Sequence, residues 1–174
     1  MSQNEAWLSG PIPEIPFLLQ PAAHALVQAE LELKECMENF PDKLLWKTVA
    51  GRASVGFHLQ HLFGVMDRLT TYARELPLSD NQFGYLKKEN TPDFNLTSKE
   101  LVSRFSEKLS ETLNLFSQTT DEELRAFRTV GRKKLPTTVM GLYFHIAEHS
   151  QRHFGQLLVT VSVLKERELM NDKT

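Results

Sequence analysis

Three histidines, His145, His149 and His153, recur every four residues within the stretch 142–157. On a helix of 3.6 residues per turn a step of four advances about 400°, so His149 and His153 project from one face about 40° apart and one turn of axis apart. Neutral imidazole is the commonest side-chain metal ligand, and an i, i+4 pair can share a first-row divalent ion when another element supplies a further donor. A single buried histidine is more often packed and hydrogen-bonded than ligating. Here five of the chain's six histidines (His58, His61, His145, His149 and His153) fall in two short segments, a clustering that core filling does not require.

The rest of the chain must position those segments. At 174 residues it can bury a sizeable core as one domain without covalent staples. Hydrophobic residues make up 41%, Gly and Pro number only 8 each, and apolar residues repeat every three to four positions, so the fold expected is all-α. Residues 1–16, with Pro11, Pro13 and Pro16, read as an extended leader, 17–168 as a helical bundle and 169–174 as a tail.

A first helix over about 17–39 carries the stripe Leu19, Ala23, Leu26, Glu30, Leu33, Met37 and Phe40. His24 lies about 160° from Leu26 on that helix, so it is assigned to solvent and set aside as a ligand. A connection over 41–53 buries Leu44, Leu45 and Trp46. Ser54 then caps a second helix through Val55, His58, Leu62, Val65, Leu69, Ala73 and Leu76, ended by Pro77. His58 sits near the middle of this stripe and His61 about 80° to one side, so periodicity alone selects His58 as the buried one.

A long polar connection over 77–96 has room for a turn of helix around 82–89. It lets the next helix run either way and is free to overhang one end of the bundle. Thr97 and Glu100 form a capping box, with Leu96 and Leu101 as its hydrophobic staple, and start a third helix whose stripe is Leu101 or Val102, Phe105, Leu109, Thr112 and Phe116. A second box, Thr120 with Glu123, opens a short helix ending near 127, and 129–133 reads as an extended turn. The fourth helix starts after Pro136, capped by Thr137 or Thr138, and runs to about 168. Its seam, Leu142, Ile146, His149, His153, Gln156, Thr160 and Val163, has the 4-3 spacing of helices packed at a shallow angle. His145 falls on the flank. Two imidazoles buried in such a seam without partners would cost about 1–3 kcal/mol each, so something must satisfy them. The elements define a four-helix bundle whose core can carry a metal.

Composition excludes several classes. A net charge of −2, from 20 Lys and Arg against 22 Asp and Glu, lacks the electrostatic footprint of a nucleic-acid binder. The one dense basic run, Arg125, Arg128, Arg132, Lys133 and Lys134, follows Asp121, Glu122 and Glu123 and reads as a solvated connection. A single cysteine, Cys36, allows no internal disulfide. The start of the chain lacks the pattern of a secretory signal, and the longest nearly apolar run, 157–164, is far short of the roughly 20 residues that span a bilayer. A cytoplasmic protein without membrane or nucleic-acid partners is expected.

Two segments together resemble the DinB/YfiT-like superfamily of four-helix-bundle proteins, over roughly 17–167. In the last helix, Thr138-Val139 is followed by His145 and then by His149-x-x-x-His153-x-Gly155-Gln156, which looks like that family's terminal histidine pair. In the second helix, Ser54-Val55 with His61 seven residues after the serine, and Leu62 beside it, looks like the family's capped helix bearing a single histidine ligand. The resemblance implies a ligand set of His61, His149 and His153, with His58 the alternative to His61. His58 and His145 could otherwise line the pocket or orient a ligand through a hydrogen bond. Three neutral histidines would leave a divalent ion (zinc, nickel, iron or manganese) an open position at which a bound water or thiol is acidified.

Some relatives are thiol-dependent S-transferases or isomerases. The resemblance therefore implies a small-molecule substrate and a low-molecular-weight thiol cosubstrate, or else hydrolysis. The competing expectation is a non-catalytic, stress-related metal-binding bundle that forms a homodimer. Where the family often has arginine after the last histidine this chain has Phe154, and Arg152 precedes it, so a role for that arginine in holding an anionic cofactor does not carry over. Glu148, about 100° from His149 on the helix, is not nominated as a base.

Overall fold

The structure, a computed structural model, describes residues 4–171. Residues 1–3 of the expected leader and 172–174 of the expected tail lie outside the described residues. Four long helices form the bundle: α1 (Gln20–Cys36), α2 (Val55–Ala73), α4 (Ser98–Ser117) and α6 (Val139–Asn171). Each of α1 and α2 packs on both α4 and α6, so α1 and α2 are diagonal partners, as are α4 and α6. Two smaller helices, α3 (Asp80–Lys88) and α5 (Asp121–Leu124), and a hairpin of β1 (Phe127–Val130) and β2 (Leu135–Thr138) occupy the connections. No described helix is long and apolar enough to cross a membrane.

The apolar stripes explain the packing. Leu19, Ala23, Leu26 and Leu33 of the first helical segment, and Leu101, Phe105, Leu109 and Phe116 of α4, are all buried in one cluster with Leu59, Leu62 and Met66 of α2. Trp46 is only half-buried. Its ring packs against the start of α2, where a β-carbon at Gly56 would collide with it, and its indole N–H donates to the Asp93 carbonyl at 3.1 Å, tying the 41–53 connection to the one before α4.

Several boundaries differ from the sequence reading, each for a local reason. The first segment begins as a 3-10 turn, Phe17–Leu19, and becomes α-helical only at Gln20, with Pro21 in its first turn where a missing amide costs nothing. Helix α2 stops at Ala73, short of Pro77, because Glu75 turns to φ 60°; Leu76 is consequently exposed. Helix α5 ends at Leu124, and the stretch expected as an extended turn belongs to the two-stranded hairpin. Its turn is made by Gly131 and Lys134, both at positive φ, so the all-α expectation misses one small sheet. Helix α6 continues through Asn171, past the expected end at 168.

The leader is held to α1 by side chains. The Gln20 amide spans the Ile12 and Ile15 backbone, Gln28 Oε1 accepts from the Ala6 N–H at 2.8 Å, and His24 Nε2 lies 2.9 Å from the Gly10 carbonyl. His24, assigned to solvent from the sequence, therefore faces the leader, and it is in neither group of side chains that could hold a metal.

The core contributes most through its large side chains. Truncating Phe105, fully buried on α4, to alanine is expected to cost ~3–5 kcal/mol in equilibrium denaturation, because transfer energy is lost and a cavity is left. A loss below ~1 kcal/mol would contradict its placement in the core.

Candidate metal centre

The side chains that could hold a metal come from α2 and α6. Ser54 Oγ accepts the Phe57 N–H at 3.2 Å and so starts α2 at Val55, which presents His58 and His61 one turn later toward α6. Thr138 Oγ1 accepts the Gly141 N–H at 3.0 Å and does the same for α6, one of the two caps the sequence allowed. Where the helices pack, each histidine of α2 meets one of α6. His61 Nε2 lies 2.9 Å from His149 Nε2, and His58 Nδ1 lies 3.1 Å from His153 Nδ1. The ring centroids of His61 and His153 are 4.5 Å apart and those of His149 and His153 4.4 Å. His61, His149 and His153 each offer a ring nitrogen, and the three nitrogens lie within 4.8 Å of one another. His58 is fully buried, as the stripe requires, and its contact is with the ring of His153.

The terminal pair sits differently from its expected seam. The buried line of α6 runs through Ile146, Ser150, Phe154, Leu157, Val161 and Leu164, while His149 and His153 are half-buried at its edge and Gln156 is exposed. The larger apolar residues Phe154 and Leu157 win the core, and the imidazoles fall where α2 and α6 part. Phe154 is a core side chain.

Acidic and basic neighbours complete the surroundings. His145 is exposed and pairs with Glu148 at 2.6 Å; these two with His149 form a second group of possible donors. Arg152 already occupies it, its guanidinium reaching Glu148 at 2.8 and 3.0 Å and His149 Nδ1 at 3.1 Å, and that positive charge opposes a further cation. Glu89 is the residue sequence reasoning missed. Its carboxylate is 4% exposed, meets His61 Nδ1 at 2.8 Å and pairs with Arg68. It arrives on α3, which lies inside the connection read as polar and folds back along α2 rather than overhanging an end. Gln82 reaches Asp67 and Thr71, and the Tyr85 hydroxyl donates to the Gln60 carbonyl. The available signal was the Ser79 and Gln82 capping box that opens α3, together with Arg68 at a buried position of α2.

Burial and mutual repulsion keep His58, His149 and His153 neutral. Desolvation first, and the adjacent imidazoles second, hold His58, His149 and His153 down to about 4. Each therefore carries a lone pair at neutral pH, as a divalent metal requires. Half-burial, neutral nitrogen donors and a carboxylate behind one of them fit such an ion.

These depressed values make the metal-free fold pH-sensitive. The unfolded chain takes up protons near pH 6.5 and the folded one only near 4, so stability is full above about 6.5 and declines as pH falls toward 4. For fully buried His58 alone the shift corresponds to about 3 kcal/mol. Denaturant titrations of chelator-treated protein should show this decline, with a shallower slope in His58→Gln; a flat profile from pH 7 to 4.5 would contradict the neutral cluster.

The fold has solved counterparts. An uncharacterised protein from Clostridium difficile 630 superposes with a TM-score of 0.63 at 16% identity, covering 83% of this chain and 94% of its own. A Streptococcus pneumoniae protein gives 0.62 at 15%, covering 83% and 88%, and an uncharacterised Escherichia coli UTI89 protein 0.58 at 17%, covering 88% and 96%. At these identities the likeness concerns the fold alone. No curated protein matches the sequence. The profile of the DinB superfamily matches residues 25–157, which include both histidine segments, all of α2 and the part of α6 that bears the histidines, and the chain belongs to that superfamily.

Proposed function

We propose that the protein is a metal-dependent enzyme holding one divalent ion through His61, His149 and His153, and that it acts on a small molecule by thiol transfer, isomerisation or hydrolysis. The observation that carries the metal reading is the meeting of three imidazole nitrogens from two helices within 4.8 Å. His61, His149 and His153 would leave such an ion an open position, where it would lower the pKa of a bound water or thiol. Membership in the DinB superfamily supports the thiol-dependent reading, since relatives include S-transferases and isomerases that use a low-molecular-weight thiol.

The chain's own residues prepare the site. His58 bonds His153 at Nδ1 and so fixes that ring against rotation. Phe57 stacks on His61 with centroids 5.2 Å apart and planes 14° from parallel, which restrains the ring and keeps water from one of its faces. Zinc, nickel, iron and manganese all accept this donor set.

Metal analysis tests the ligands. Wild-type protein should carry close to one ion per chain, His61→Ala and His149→Ala should lose it, and His145→Ala should keep it; unchanged metal in His149→Ala would refute the set. A screen of the metal-loaded protein against electrophiles with low-molecular-weight thiols tests catalysis. Turnover is expected that falls in His149→Ala to the level of metal-stripped protein. Inactivity across metals, thiols and hydrolysable substrates would contradict the enzyme reading and leave a metal-binding bundle.

A further inference from the structure

The carboxylate brought in by α3 has a function that follows from counting donors and acceptors. Arg68 can only donate, and it takes Glu89 Oε1; Oε2 faces His61 Nδ1 at 2.8 Å and, being an acceptor, requires the proton on that nitrogen. The proton being on Nδ1, His61 Nε2 keeps its lone pair, and Nε2 is the atom that faces His149. The rest of the chain of contacts agrees. Arg152 donates to His149 Nδ1, leaving a proton on His149 Nε2 to be donated to His61 Nε2 across 2.9 Å.

Two further features show that the arrangement is built in. Glu89 caps the C-terminal end of α3, where the helix dipole disfavours a carboxylate, so its position is explained by its partners and not by its own helix. Gly64, in the middle of α2, is where a β-carbon would strike both Glu89 Oε1 and Arg68 Nη1; a helix-weakening residue is kept where the ion pair must approach the backbone. Helix α3 buries no side chain of its own; it is attached through the polar groups of Gln82, Tyr85 and Glu89 and through the Tyr85 ring, which packs on Phe63.

We infer that Glu89, carried on α3 and anchored by Arg68 in the space left by Gly64, is the positioning residue that fixes the tautomer of His61 and so makes Nε2 its metal-binding nitrogen. The inference rests on the three-histidine reading for its consequence, but its first step concerns the metal-free protein. A carboxylate behind a ligating imidazole fixes the ring and raises its basicity, and losing it typically costs 10–100-fold in metal affinity.

Glu89→Gln separates this role from simple packing. A glutamine has one oxygen, which the Arg68 guanidinium claims, so its NH₂ group must face His61 and force the proton to Nε2. Long-range ¹H–¹⁵N correlation spectra of the metal-free proteins should show His61 protonated at Nδ1 in wild type and at Nε2 in Glu89→Gln. Zinc dissociation constants from chelator competition should rise ~10–100-fold in the variant. Gly64→Ala, whose β-carbon displaces the ends of Glu89 and Arg68 and crowds the edge of the Tyr85 ring, should weaken zinc in the same direction and covers the case in which Glu89→Gln does not fold. The same His61 tautomer in wild type and variant, or zinc affinities within threefold, would overturn the inference. If wild type binds no zinc, the three-histidine reading fails, and the tautomer comparison alone then decides the role of Glu89.

Discussion

Everything chemical about this protein depends on the line along which α2 and α6 pack. An imidazole is a metal donor only when neutral, and it is neutral here because the packing withdraws it from water and sets it beside other imidazoles. The same packing must stop short of full burial, since a ring closed in on every side has no face to offer a ligand. The bundle meets both demands by giving its core to Phe154, Leu157, Leu59 and Leu62 and placing His61, His149 and His153 at the rim of that core. His58 alone goes fully inside, and it acts there as a brace for His153.

The bundle supplies two walls of the site and a connection supplies the third. Helix α3 brings a charged group into a place where an unpaired carboxylate would be strongly penalised, and the buried Arg68 offsets that penalty. The exposed side is bounded by Arg152, paired with Glu148 and in contact with His149. The three histidines thus lie between an inner ion pair and an outer one. The inner pair accepts the N–H of His61 on the side away from the cluster, which is how outer partners orient metal-ligating histidines, whereas Arg152 of the outer pair donates to His149 Nδ1.

Much of this was legible in the sequence because it depends on period and caps. Ser54, Thr97, Thr120 and Thr138 start helices as their oxygen-bearing side chains predict, and the stripes through Leu26 and Phe105 lie in the core. The four-helix architecture and the superfamily follow from those elements. What was not legible depends on tertiary competition. A 4-3 spacing reads His149 and His153 as seam residues, yet Phe154, one position after His153, and Leu157, one turn on, bury more apolar surface and rotate the histidines to the edge. The hairpin lacks alternating apolar residues long enough to announce strands, and its turn relies on Lys134 at φ 48°. Glu89 looked like one more polar residue in a polar loop, because nothing local shows that Gly64 and Arg68, more than twenty residues earlier, leave room for it.

X-ray absorption spectroscopy of the protein loaded with zinc tests the central claim most directly, because it reads the donor atoms without assuming a reaction. The account predicts nitrogen scatterers at about 2.0–2.1 Å with the outer-ring signature of three imidazoles and one further light-atom ligand. A shell dominated by carboxylate oxygen or by sulfur, or one with a single imidazole, would contradict it.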